Sequence, residues 1–272
     1  MRREVFETPG QLTLDLRVPS GRIDLETGPG TATEIELDAR GGADQVRELL
    51  EDARIELREV RGGHEVVVDV EAKRGLGLGF LRRVEIRLRV SSPEGTHVRA
   101  ETASADLRGR GHFGSLQAKA ASGDVDLDEI AGDVEVEAAS GDVNLGSVGG
   151  ATDISTASGD IRLARADGPL TARAASGDVR VDEASGGTKI RTASGDQRIG
   201  AVGEGSVELQ SMSGDITVGV RQGSNLWVDA RAMSGDLSSE VELDDVPTSD
   251  DGGPLVELRA TSMSGDIDVV RA

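Results

Sequence analysis

A chain of 272 residues with 50 Asp and Glu against 30 Lys and Arg carries a net charge of −20, which repels phosphate backbones and anionic membrane surfaces and argues against nucleic-acid binding. The absence of Cys rules out disulfides, thiolate catalysis and Cys-based metal sites and favours a reducing compartment. With 37 Gly, 36% hydrophobic residues, three Phe, one Trp and no Tyr, any core has to be built from small aliphatic side chains.

The N-terminus, Met1 to Glu7, has no apolar run of signal-peptide length, and nowhere do about 18 apolar residues stand in succession as a membrane span would need. The expectation is a soluble, cytoplasmic protein. Residues 1–100 are strand-rich without a strict period: Gln11 to Val18, Arg22 to Glu26, Thr33 to Asp38, Glu65 to Glu71 and Val84 to Val90 all alternate apolar and polar residues. A helix is expected from about Ala43 to Ala53, where Val46, Leu49 and Leu50 share a face behind Asp44 as a candidate cap. Residues 1–100 as a whole read as an N-terminal cap on the repeats that begin near residue 101.

Between Lys73 and Arg83 the character changes. Leu76, Leu78, Phe80 and Leu81 stand among Gly75, Gly77, Gly79 and the basic Lys73, Arg74, Arg82 and Arg83. The glycine spacing is not that of a dinucleotide loop. A hairpin folding back on the cap is one reading; a docking loop for a partner or a peripheral membrane contact is the other.

From Ser104 a repeat takes over. Ser-Gly-Asp recurs at Ser122, Ser140, Ser158, Ser176 and Ser194 at intervals of 18, then at Ser213, Ser234 and Ser264 with looser spacing, and glycines recur every nine residues from Gly123 to Gly195. Between them pairs such as Val125 and Leu127, Ile161 and Leu163, or Val179 and Val181 alternate with polar residues. Each unit of nine is thus a short strand and a tight turn, two units make one coil, and residues 101–272 read as an all-β, single-stranded parallel β-solenoid with coils of 18 residues. A flat antiparallel meander has the same strand lengths, but a single sheet leaves its Val, Ile and Leu face uncovered. A three-sided hexapeptide coil fails because the apolar residues recur every nine and not every six.

The gap between Ser234 and Ser264 widens to 30 residues. Asp244, Asp245, Pro247, Asp250, Asp251, Gly252, Gly253 and Pro254 make it an acidic loop between strands Leu237 to Leu243 and Leu255 to Ala260, an insertion spanning about 237–263. After the last coil, Ile267 to Val270, come two residues and no evident cap, so it is expected to form an open solenoid end suited to self-association.

Stacked coils bring Asp124, Asp142, Asp160, Asp178 and Asp196 into one column about 4.8 Å apart, where like charges repel by about 1 kcal/mol even in water. Hydrogen bonds from turn N–H groups offset this in one reading; a bound calcium does so in another, as in a nonapeptide solenoid of Gly-Gly-x-Gly-x-Asp type, whose second spaced Gly is missing here. No cofactor and no catalytic residue is assigned. His64, His97 and His112 fall in no metal-ligand or nucleophile spacing. A polysaccharide-active β-helix enzyme is the third reading, disfavoured by the charge and by the scarcity of aromatic residues.

Ser-Gly-Asp succeeded by Val or Ile, behind Val18-Pro19-Ser20-Gly21-Arg22-Ile23 and Val90-Ser91-Ser92-Pro93-Glu94-Gly95, resembles the bacterial putative-adhesin family of domain of unknown function DUF4097 over nearly the whole chain. The resemblance implies a β-solenoid interaction or scaffold protein, associated with the bacterial envelope or its stress responses, and brings no catalytic residues. The sequence therefore reads as a non-enzymatic scaffold that meets a protein partner or itself through its ends. A cation- or ligand-binding module built on the Ser-Gly-Asp turns is the alternative.

Overall fold

The computed structural model describes residues 1–70, 84–240 and 253–272, and the chain divides into two compact units, Met1–Gly141 and Asp142–Ala272. The docking-loop residues Leu76, Leu78, Phe80, Leu81, Arg82 and Arg83 lie outside the described residues, as do residues 241–252 of the acidic insertion.

In the first unit the strands are β1 (Arg2–Glu7), β2 (Gln11–Gly28), β3 (Ala32–Arg40), β4 (Arg54–Val60), β5 (Gly63–Asp69), β6 (Glu85–Pro93), β7 (Thr96–Ala120), β8 (Val125–Ile130) and β9 (Val134–Ser140), with α1 (Ala43–Asp52) between β3 and β4. The helix stands where its apolar spacing puts it. Its N-cap is Gly42, without a side-chain cap bond; Asp44 sits inside the first turn and pairs with Arg47 at 3.4 Å.

Strand β2 organises this unit. Its first half lies parallel to β5 and its second half parallel to β6, while both halves lie parallel to β7, with Ser20 opposite Ser104, Gly21 opposite Ala105 and Arg22 opposite Asp106. Coil stacking therefore reaches one coil upstream of Ser104, two upstream of the first Ser-Gly-Asp at Ser122. The chain turns inside β2 at Gly21, whose φ is +104° and where a Cβ would lie 1.9 Å from the carbonyl oxygen of Ile86; only Gly fits. Antiparallel β1–β3–β6 and the β4–β5 hairpin complete the unit.

The second unit is the regular solenoid. One sheet stacks β10 (Val143–Val148), β12 (Ile161–Ala166), β14 (Val179–Ala184), β16 (Gln197–Val202) and β18 (Ile216–Val220) in parallel; the other stacks β11 (Thr152–Ser158), β13 (Leu170–Ser176), β15 (Thr188–Ser194) and β17 (Gly205–Ser213). Residues 18 apart lie opposite each other, as Leu163 and Val181 do. The inward positions Ile161, Leu163, Leu170, Ala172, Val179, Val181 and Ile190 are each 2% exposed or less. Thr152, Thr156, Thr188, Thr192 and Gln197 take other buried positions among these small aliphatic side chains.

The last coils do not stack in chain order. Strand β21 (Leu255–Ser264) lies between β17 and β19 (Asn225–Ala232), and β22 (Ile267–Arg271) lies between β18 and β20 (Leu237–Ser239). The C-terminal coil is thus not the open end of the solenoid, as the sequence suggests, but is inserted one coil inside it. The inserted position is the buried one: Val256, Leu258, Ala260, Ser262 and Ile267 are all 0% exposed, whereas the outermost coil of β19 and β20 has only half-buried and exposed residues. Opposite Val256, Leu258 and Ala260, β19 carries Leu226, Val228 and Ala230, so the two coils differ chiefly where Ser239 of β20 stands opposite Val269 of β22.

This packing makes two positions decisive for stability. At Gly177 φ is +142° and a Cβ would lie 2.2 Å from the carbonyl oxygen of Gly159, so Gly177→Ala should cost at least about 1–3 kcal/mol in urea unfolding. Gln197 occupies an inward position held by Val or Ile in other coils, is 1% exposed, and its Oε1 has no hydrogen-bond partner among the described residues. Its Nε2, however, donates to Thr192 Oγ1 at 2.8 Å and to the Gln210 carbonyl at 2.7 Å, so Gln197→Ile, which removes the desolvated carbonyl but also both bonds, should change stability by no more than about 1 kcal/mol, and a larger fall in the urea midpoint would contradict this.

Candidate functional site

The Ser-Gly-Asp corners form one continuous main-chain network in the second unit. At each corner the Gly N–H donates to the Ser carbonyl of the next coil, as Gly159 does to Ser176 at 3.1 Å and Gly177 to Ser194 at 3.0 Å. The Asp N–H points the other way and donates to the carboxylate of the Asp one coil back. Asp160 donates to Asp142 Oδ1 at 2.9 Å, Asp178 to Asp160 at 3.0 Å, Asp196 to Asp178 at 2.9 Å and Asp215 to Asp196 at 2.8 Å. The series continues with Asp266 on Asp215 and Asp236 on Asp266, both at 2.8 Å, in the same permuted order as the strands.

In the first unit Asp124 N–H meets Asp106 Oδ1 at 3.4 Å. Each bond places a partial positive charge between successive carboxylates, which offsets their mutual repulsion. Arg162 adds to this by bridging Asp160 at 2.6 Å and Asp142 at 3.6 Å. Among the described residues no group of three or more His, Asp or Glu is placed to hold a metal ion.

The three histidines stay apart. His64 Nδ1 meets the Pro9 carbonyl at 3.1 Å, His97 bridges Gln11 at 2.9 Å and Ser115 at 2.7 Å, and His112 faces Glu129 at 2.8 Å. On the outer face of the first unit lies an open cleft of about 500 Å³. Across it Glu36, Arg89, Asp24 and Arg108 stand opposite one another on β3, β6, β2 and β7. Alternating charges of this kind compensate one another and leave no net field for an ionic ligand.

Outward residues of successive coils also pair. Lys119 reaches Glu137 at 3.0 Å, and Lys189 reaches Glu208 at 2.6 Å. The hydrogen bond and charge of Glu137 hold the Lys119 ammonium above the ordinary lysine range. The hydrogen bond from Lys189, ahead of the Arg191 charge, holds the Glu208 carboxyl below the usual carboxylate range.

The family model Toastrack DUF4097 matches residues 12–270. The chain belongs to this family. No protein of curated function matches it. Among solved structures, a "putative lipid binding protein" from Parabacteroides distasonis is 10% identical with a TM-score of 0.52, covering 99% of this chain and 96% of that one. A "putative adhesin" from Bacteroides fragilis is 13% identical with a TM-score of 0.45, covering 99% and 96%. At such identity the likeness concerns the fold of the Toastrack chain.

Sequence reasoning found the Asp column but missed a second one. The residue before the tripeptide is Ala at Ala121, Ala139, Ala157, Ala175 and Ala193 and Met at Met212, Met233 and Met263. That change of residue type at a fixed repeat position was the available signal.

If the Asp column is held by main-chain N–H groups, Asp178→Ala should lower stability by about 1 kcal/mol, the worth of an exposed charge-assisted bond, and Asp178→Asn, which keeps an acceptor, by less. Calcium and chelator should leave the melting temperature of both variants and the parent unchanged.

Proposed function

We propose that this Toastrack chain is a non-enzymatic interaction scaffold that joins protein partners, copies of itself included, by strand addition at the outermost coil of the second unit. One observation carries this reading. Among the described residues β19 pairs only with β21, and β20 only with β22.

Asn225 N–H donates to Pro254 and Met233 N–H to Ser262, so the odd-numbered amides of β19 face β21. The amides of Leu226, Val228 and Ala230 then face away from it, as an edge awaiting a strand presents them. The names of the adhesin-like relatives agree with an interaction role. No described helix is long and apolar enough to cross a membrane.

Light scattering behind size-exclusion chromatography at physiological salt tests the reading. The parent chain should grow beyond the 28.3 kDa monomer as concentration rises, and Ala230→Pro should stay monomeric with unchanged circular dichroism, since its lost N–H makes no bond to β21. A parent that stays monomeric throughout, or a Pro variant that assembles equally, would contradict strand addition at this edge.

A further inference from the structure

The three methionines before the last Ser-Gly-Asp corners are separated in the chain but adjacent in the fold. Met212 lies opposite Met263, between the register pairs Ser211 with Ser262 and Ser213 with Ser264. Met233 lies on the far side of Met263, tied by Met233 N–H to the Ser262 carbonyl at 3.0 Å and by Ser234 N–H to the Met263 carbonyl at 3.1 Å. Strand spacing sets these Cα atoms about 4.8 Å apart in a column.

All three side chains are on the outside. Met212 is 59%, Met263 48% and Met233 79% exposed. The only other methionine is Met1, and there is no Cys.

An exposed apolar stripe would be served equally by Leu, Ile or Val. What Met alone supplies is a polarisable thioether on three rotatable bonds. Three such side chains at strand spacing can bring their sulfurs to a common point.

Thioethers are soft ligands and select soft cations. The carboxylates of Asp215, Asp266 and Asp236, on the same three coils, add a negative field that favours a cation. Basic residues on the same face are engaged elsewhere: Arg191 pairs with Glu208 at 3.4 Å, Arg231 pairs with Asp229 at 3.1 Å, and Arg259 lies 5.5 Å above the Trp227 ring.

We propose that Met212, Met263 and Met233 form a binding site for a soft monovalent cation, Cu(I) or its redox-inert analogue Ag(I). The site depends on the permuted coil order, because Met263 is the middle member only when the C-terminal coil is inserted inside the stack. It is independent of strand addition at β19.

The test is a titration of the protein, carrying 13C-labelled methionine methyls, with silver nitrate in chloride-free buffer. The methyl resonances of Met212, Met263 and Met233 should shift together and saturate at one Ag(I) per chain, while Met1 stays in place. Replacing all three by Ala, the residue five earlier coils carry at this position, should leave circular dichroism unchanged and abolish binding. Anaerobic Cu(I) should move the same three methyls. Absence of a shift, a parallel shift of Met1, or binding that survives the triple Ala variant would overturn the site.

Discussion

Everything in this fold depends on how closely one coil's backbone passes over the next at the Ser-Gly-Asp corner. A Cβ on Gly177, Gly195, Gly214 or Gly265 would lie 2.1–2.3 Å from the glycine carbonyl of a neighbouring coil, so the corners stack at strand spacing only because no side chain stands there. Once they do, the Gly N–H reaches the next Ser carbonyl, the Asp N–H reaches the preceding carboxylate, and the residue after Asp resumes the parallel ladder, as Ile161 N–H does on the Asp178 carbonyl at 2.9 Å. Each of these main-chain donors is thereby satisfied at the corner. That satisfaction lets a chain with one Trp and three Phe keep a narrow aliphatic core.

The same constraint decides what the surface becomes. Because residues 18 apart stack in register, any residue type kept at a repeat position is drawn out into a column, whether of carboxylates, cross-coil ion pairs or thioethers. A column of carboxylates is tolerable where an N–H lies between each pair. Methionine columns need no such compensation and remain free to serve an added ligand.

The repeat makes the solenoid legible in the sequence itself. Ser-Gly-Asp spacing and the alternation of Val125 and Leu127 or Ile161 and Leu163 define strand, turn and coil together, and the helix around Val46, Leu49 and Leu50 arises from its apolar spacing. Less visible was the coil inside β2, since Ser20-Gly21-Arg22 lacks the Asp that marks later corners and shows its kinship only through its pairing with Ser104, Ala105 and Asp106. The order of the last coils was invisible, because strand pairing is a choice among equally periodic partners and β19 carries nearly the same apolar series as β21, Leu226, Val228 and Ala230 against Val256, Leu258 and Ala260. The methionine column hid for a related reason: its members become neighbours only once that order is known.

The most direct test of the corner ladder is the hydrogen exchange of individual amides by NMR. The N–H groups of Asp160, Asp178, Asp196, Asp215, Asp266 and Asp236 sit at solvent-facing corners, yet each donates to the carboxylate of the coil beside it, so they should exchange far more slowly than exposed loop amides such as that of Gly30. Slow exchange at Asp236 and Asp266 in particular should vanish together when Asp215→Ala and Asp266→Ala are combined. Exchange of these amides at the rate of an unprotected chain would contradict the ladder and, with it, the permuted stacking of the final coils.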